Sequence, residues 1–288
     1  MIQWGDDRYK ADLKNLWKLC FPDDTEAFIN FYFSAVYRHE ETLIYPEKNK
    51  PVASLQIIPY RIKIEKTIFN AGYISGAMTH PDFRKKGYME KLLNVAFEVM
   101  KNKKYNYTFL IPQEEWLYDF YGKYGYVRAF PERLKCSYVI NNELIKNKSV
   151  KDGSIKIFSD SSTIDLSVFY PVYSHFLMKK TNVVLKSRLQ VSHILFDFFN
   201  EGGVLFANDK GIAFTFKRNN QIIVKEFLYQ KDEIKKSFLE TIFEYYHLPE
   251  TIILNDPSAP VVKNVGMIKR LNASSLLHTD VYMSMMLD

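Results

Sequence analysis

Cysteine is nearly absent from this chain. Cys20 and Cys136 are the only two in 288 residues, too few for a disulfide framework and compatible with a reducing compartment. Long apolar runs are missing as well. No window approaches the roughly 18 uninterrupted apolar residues of a membrane-spanning helix. The opening MIQWGDDRYK has neither a basic segment followed by an apolar stretch nor a cleavage site. A soluble, cytoplasmic protein with no membrane partner is expected. The histidines show no metal-ligand spacing and HExxH does not occur, so no metal is expected. Neither cysteine has a neighbouring histidine, which argues against a cysteine acyl-enzyme.

What the chain does have is apolar material: 47% hydrophobic and 16% aromatic residues, ample for core and best divided between two domains at this length. The net charge of +6 suits an anionic ligand. The basic residues are scattered through short runs such as KNKK at 101–104 and KNK at 146–148. That is the pattern of a solvated lysine face, so no nucleic-acid partner is expected.

The periodicity predicts a short strand near Ile2–Trp4. It then predicts a helix with Leu13, Leu16, Trp17 and Cys20 on one face, and a second helix, AFINFYFSAVYRH, after the capping residues PDDTE. TLIYP, PVASLQIIPYRIKI and TIFNAGYISGAMTHP read as strands, with Pro51 at a turn and Pro59 at an edge or bulge. A helix from Arg84 to about Lys103 carries Met89, Leu92, Leu93, Ala96 and Met100 on one side. Strand YNYTFLIP, helix EEWLYDFYGKY and strand material through LKCSYVI follow. NNELIKNKSVKDGS reads as a linker, giving domains 1–141 and 142–288. A similar order of elements returns after 155, with Pro171 expected to break or kink its first helix and two short strands around a helical turn at the end.

One junction carries chemistry. In AMTHPDFRKKGYMEKLL a strand runs into a helix through a basic, glycine-containing loop, which exposes unpaired N–H groups at the positive end of the helix dipole. Gly87 removes the side chain where the backbone must approach a bulky anion, and Arg84, Lys85 and Lys86 surround it with charge. The same residues also fit a basic, frayed helix start with an incidental glycine.

HPDFRKKGYMEKLL resembles the acetyl-CoA signature of the GNAT superfamily, the Gcn5-related N-acetyltransferases. Arg84 and Gly87 match the pattern; Met89 stands where the family has a small residue. The resemblance implies an α/β (α+β mixed sheet) fold of two tandem GNAT-like modules, each a mixed sheet flanked by helices. Acetyl-CoA would be the co-substrate, and Met78, Thr79, Arg84, Lys85, Lys86, Gly87, Tyr88 and Met89 would bind it. WLYDFYGKYGYV resembles the family's segment in which a tyrosine hydrogen-bonds the departing sulfur; carried over, that residue is Tyr121. Tyr118, Tyr121 and Tyr124 also have the spacing of a packed helix face. FPDDTEAFINFYF and FLYQKDEIKKSFLETIFEYYHLPETIILNDP resemble tandem-GNAT proteins of the enhanced-intracellular-survival type, here expected without their C-terminal sterol-carrier-like domain. In those relatives a terminal carboxylate acts in catalysis, which makes Asp288 a candidate by resemblance.

The implied function is transfer of an acetyl group to a small-molecule or peptide amine by direct attack, in a protein compatible with oligomer formation. A lysine-like ammonium with a pKa near about 10.4 must lose a proton first. Glu114 and Glu115, just past the fifth strand, are candidate bases; Asp23, Asp24 and Glu26 border the expected acceptor side, and His80 follows the donor strand. Each carboxylate also reads as a helix-start residue. The second module has Asp232 and Glu233 where a phosphate loop needs glycine and positive charge, so it is expected to bind no CoA. Two other readings stay open: a non-catalytic CoA-binding sensor or assembly module, and aminoacyl transfer from tRNA.

Overall fold

The computed structural model describes residues 1–139, 155–248, 250–254, 260–272 and 277–287. The expected linker at 141–154 and Asp288 lie outside them. The chain forms two compact units, one built from residues 1–129 with 266–279, the other from 130–265 with 280–287.

The first unit opens with β1 (Gln3–Trp4), α1 (Lys10–Cys20) and α2 (Glu26–Phe31). Leu13, Leu16 and Trp17 are the buried face of α1. The Thr25 side chain caps α2 by accepting the Phe28 N–H at 3.1 Å, which satisfies one of the helix's orphan donors. Three long strands follow: β2 (Thr42–Glu47), β3 (Lys50–Ile64) and β4 (Thr67–Thr79). The β2–β3 turn falls on Lys48 and Asn49, both at positive φ, and Pro51 sits inside β3 opposite Pro46 rather than at the turn. After β4 come α3 (Tyr88–Asn102), β5 (Tyr107–Leu110), α4 (Glu115–Gly122) and the start of β6 (Val127–Val139). A strand from far along the chain, Val261–Arg270 (β13), pairs antiparallel with β5 through Met267–Arg270. It contains the first of the two short strands expected at the chain's end and starts earlier than expected; further on, Tyr282 makes an isolated bridge. The sheet is antiparallel except for β4 and β5, which run parallel as the α3 crossover requires. Leu92, Leu93, Ala96 and Met100 of α3 pack on Leu55, Ile57 and Ile74 of the sheet.

The second unit contains the rest of β6, then β7 (Lys156–Phe158), α5 (Leu166–Lys179), β8 (Asn182–Leu185), α6 (Arg188–Asn200) and β9 (Val204–Ala207). β10 (Gly211–Arg218), β11 (Gln221–Tyr229), α7 (Asp232–Tyr246) and β12 (Glu250–Leu254) complete it. It repeats the order of the first: an antiparallel meander β9–β10–β11, a crossover helix, and β12 parallel to β11. α5 runs through Pro171 without a break. One lost backbone hydrogen bond is outweighed by the burial of Phe169, Tyr173, Phe176 and Leu177.

Candidate functional site

The parallel ladder between β4 and β5 spans only Ala71–Tyr73 against Tyr107–Phe109. From Ile74 onward, among the described residues, no strand pairs with β4 on that side. Its other edge stays on β3 with a shift of register. Gln56 faces Ser75 and Ser54 faces Met78, so three steps on β4 oppose two on β3. Gly76, at φ +53°, makes this bulge possible. A side chain there would collide with Trp17, whose Cζ3 would stand 2.7 Å from the new Cβ. The result is a length of strand whose outward N–H and C=O groups can receive an extended, amide-bearing ligand.

At its end β4 enters the basic loop. His80 caps a single tight turn, Pro81–Phe83, its Nδ1 accepting the Asp82 N–H at 3.3 Å. α3 then begins at Tyr88, four residues later than expected, because Lys85 and Gly87 both take positive φ. Left-handed residues of this kind allow successive main-chain amides to form a concavity suited to an anion, here at the positive end of a 15-residue helix. Gly87 is exposed, and a Cβ there would meet nothing within 4 Å, so the approach is open. The Arg84 Nε donates to the Thr79 carbonyl at 3.2 Å, tying the loop to the last residue of β4. Lys85 and Lys86 are exposed, and the Tyr88 hydroxyl donates to Glu47 at 2.9 Å. Met89 is partly buried and packs inward against the core, so its bulk stays out of the concavity.

Beside the freed part of β4 lies a cavity of about 80 Å³ lined by Trp17, Phe21, Ile74, Leu110, Leu117 and Tyr121, together with the bulge. Tyr121 is buried, and burial pushes its phenol well above the usual range, so the O–H stays protonated at any physiological pH. Tyr126 holds it edge to face at 5.9 Å between ring centres. Trp17 is fixed on several sides: its ring lies tilted against those of Phe21 and Tyr32, and its indole N–H donates to Asp24 Oδ2 at 2.6 Å. Asp24 is half-buried, and desolvation raises its carboxyl above the ordinary value.

Tyr88, Met89 and Tyr121 pack in one core cluster of the first unit, joined from β4 by Ala77 rather than Met78. Glu114 and Glu115 lie apart from the cavity lining: Glu114 accepts the Trp116 indole N–H at 2.7 Å, and Glu115 pairs with Arg128. Glu26 is taken by Lys18 at 2.6 Å. The sequence reading missed Trp17 and Gly76 as site residues. A glycine inside a strand pattern was the available signal for the bulge.

The second unit offers a contrast at the equivalent place. β11 also leaves β12 early, after Val224, and carries a bulge before Glu226. There the space is filled. Glu226 is buried and accepts from the hydroxyls of Tyr282 at 2.9 Å and Tyr173 at 3.3 Å, while Lys186 Nζ donates to Ser284 at 2.9 Å. Tyr282 and Ser284 belong to the segment 280–287, which lies on β8 through the Val183–Tyr282 bridge.

A mixed sheet that parts after its single parallel pair, with a glycine-bearing anion loop before the crossover helix, is the GNAT fold. Residues 6–129 match the model of the acetyltransferase (GNAT) domain. The chain is similar to a conserved protein of unknown function from Enterococcus faecalis V583, described as a probable N-acyltransferase. The TM-score is 0.75 at 12% identity, over 94% of this chain and 72% of that one. It is similar to a GCN5-related N-acetyltransferase from Anabaena variabilis ATCC 29413 (0.71, 13%, 94% and 73%). It is also similar to Eis1 from Mycobacterium abscessus (0.68, 9%, 94% and 74%). At such identities the likeness is one of fold. No curated protein matches the sequence. Among the described residues no group of three or more His, Cys, Asp or Glu could hold a metal ion, and no helix is long and apolar enough to cross a membrane.

Proposed function

We propose that the protein is an N-acyltransferase that moves an acetyl group from acetyl-CoA to a primary amine of a small molecule or peptide within a ternary complex. The observation that carries this reading is the continuity of the free β4 edge, residues 74–79, with the amide concavity at Lys85–Gly87. A pantetheine arm has amides for the first and its diphosphate fits the second, with Arg84, Lys85 and Lys86 supplying countercharge. The thioester then lies by the bulge and Tyr121.

The amine nitrogen attacks the thioester carbonyl, the carbon–sulfur bond breaks, and the departing thiolate is stabilised by a hydrogen bond that the Tyr121 O–H donates. A phenol held protonated by burial suits this role. The amine gives up its own proton in turn. Asp24 is the carboxylate tied to the cavity wall, through Trp17, and desolvation makes it a stronger base than a solvated aspartate. Glu114 and Glu115 serve only through intervening water, and Asp288 stands as a candidate by resemblance. Calorimetry with CoA, followed by thiol release from acetyl-CoA across a panel of amines, tests the reading. Binding with turnover supports it; binding without turnover on any amine turns it into a CoA sensor; no binding removes it.

A further inference from the structure

We infer that Lys269, which reaches the first unit's helix ends from β13, is a positioning residue that holds Tyr121 toward the donor sulfur, a role that rests on the donor-site reading proposed for that unit. α4, which carries Tyr121, ends in a turn reversed by glycine. Gly125 takes φ +84°. Its N–H donates to the Gly122 carbonyl at 3.0 Å, and the Tyr126 N–H donates to the Tyr121 carbonyl at 3.4 Å. These two bonds are the Schellman pattern, which uses the carbonyls of Tyr121 and Gly122 and leaves that of Tyr124 to find a donor outside the helix. Lys269 is that donor. Its Nζ donates to the Tyr124 carbonyl at 2.5 Å, which also puts a cation at the negative end of the helix.

The same ammonium reaches α3. It lies 4.8 Å from the ring centre of Phe97. The Phe97 ring is 6.0 Å from that of Tyr126, which in turn stands 5.9 Å from Tyr121. Lys269 therefore bears on the main chain that follows Tyr121 and on the rings that flank it. Gly125 makes the room, since a Cβ there would stand 2.9 Å from Nζ; that glycine serves the approach of Lys269 as well as the positive φ. Strand register sets the lysine. It lies opposite Thr108 of β5, whose hydroxyl is hydrogen-bonded to that of Tyr126 at 3.0 Å. It shares its side of β13 with Met267, two residues earlier, which is buried in the core cluster under α3.

The experiment is calorimetry on the full chain with CoA and with acetyl-CoA between about pH 6.5 and 9.5. A hydrogen bond from Tyr121 to the sulfur favours the thiolate and so lowers the pKa of the bound thiol. Acetyl-CoA has no thiol to ionise, so the ratio of the two affinities separates this bond from the titration of the anion loop. In the wild type, CoA gains on acetyl-CoA about tenfold as pH rises through this range, the effect of a one-unit shift in a thiol near about 8.5. Tyr121→Phe flattens the rise. Lys269→Met keeps an apolar stem over Phe97 and removes the donor; it flattens the rise as Tyr121→Phe does, with acetyl-CoA affinity within about twofold of the wild type. Lys269→Gln, a shorter and neutral donor, gives an intermediate rise and carries the test if Lys269→Met fails to fold by thermal melt. A full wild-type rise in the lysine variants, whatever their melting temperature, leaves Lys269 a structural role alone and overturns the inference. A flat ratio in a wild type that binds CoA removes Tyr121 from the sulfur and the inference with it. Failure of CoA itself to bind sinks the donor-site reading, a result distinct from lysine variants that keep the rise.

Discussion

Gly87 has two demands on it at once, a positive φ of 76° and an open face toward the ligand. Gly87→Val imposes about 1–2 kcal/mol of left-handed strain and fills the approach with a branched side chain. CoA affinity is expected to fall about tenfold or more, read by calorimetry, with only a few degrees lost from the melting temperature. Tyr121→Phe keeps the packing and removes the proton donor, so kcat should fall about a hundredfold with CoA affinity unchanged; equal turnover in the variant would exclude the role. Asp24 carries a pH signature. Its carboxyl is raised by burial, so the rate should decline as pH falls through that raised value, and Asp24→Asn should abolish that acid limb together with most of the rate. The glycine-bearing turn at Gly87 and the helix that carries Tyr121 were legible because their local patterns are distinctive. Trp17 was read only as a core residue, since an indole on an apolar helix face looks the same whether or not a cavity lies beyond it. Its proximity to Gly76 is set by a bulge that no short pattern specifies.

The order of strands and helices in the first unit could be read from period alone, because β2, β3, β4 and α3 are long and strongly patterned. The elements that escaped are short or depend on distant partners. β8 has four residues, of which Val183, Val184 and Leu185 are buried, and it takes Tyr282 as its bridge partner. α5 passes Pro171 because tertiary burial overrides a local breaker. The start of α3 moved to Tyr88 because left-handed residues interrupt a run whose composition reads as helix. The second unit's filled splay makes a testable statement about stability. Lys186 and the hydroxyls of Tyr173, Tyr282 and Ser284 surround Glu226, with the main-chain amide of Met285. Burial is the largest influence and raises its carboxyl. A raised acid stabilises the fold fully below its unfolded value near about 4.3 and loses that contribution as pH rises through the folded value. Glu226→Gln, neutral throughout, should flatten this part of the pH dependence in thermal melts. An unchanged pH profile would show that Glu226 is charged and paired at all pH values tested.

Across the whole molecule the excess of positive charge is +6, and its role in capturing a polyanionic donor can be separated from that of the loop at 84–87. Charges more than about 10 Å apart are largely screened at about 0.1 M salt. If the general field draws the ligand in, removing any two surface lysines should weaken CoA binding equally. If the loop's own cations do so, position decides. Lys85→Ala with Lys86→Ala removes two exposed charges beside the amide concavity, whereas Lys217→Ala with Lys236→Ala removes two exposed or half-exposed charges from the second unit. Both pairs lower the net charge to +4, from +6 less two. The expected outcome is that CoA affinity falls severalfold between about 50 and 200 mM salt in the wild type and in the second-unit pair. The slope should be clearly shallower, and the affinity lower at low salt, in the loop pair alone. Equal slopes in both pairs would assign the attraction to the molecule's overall charge and leave the loop with its main-chain amides as the only local contribution.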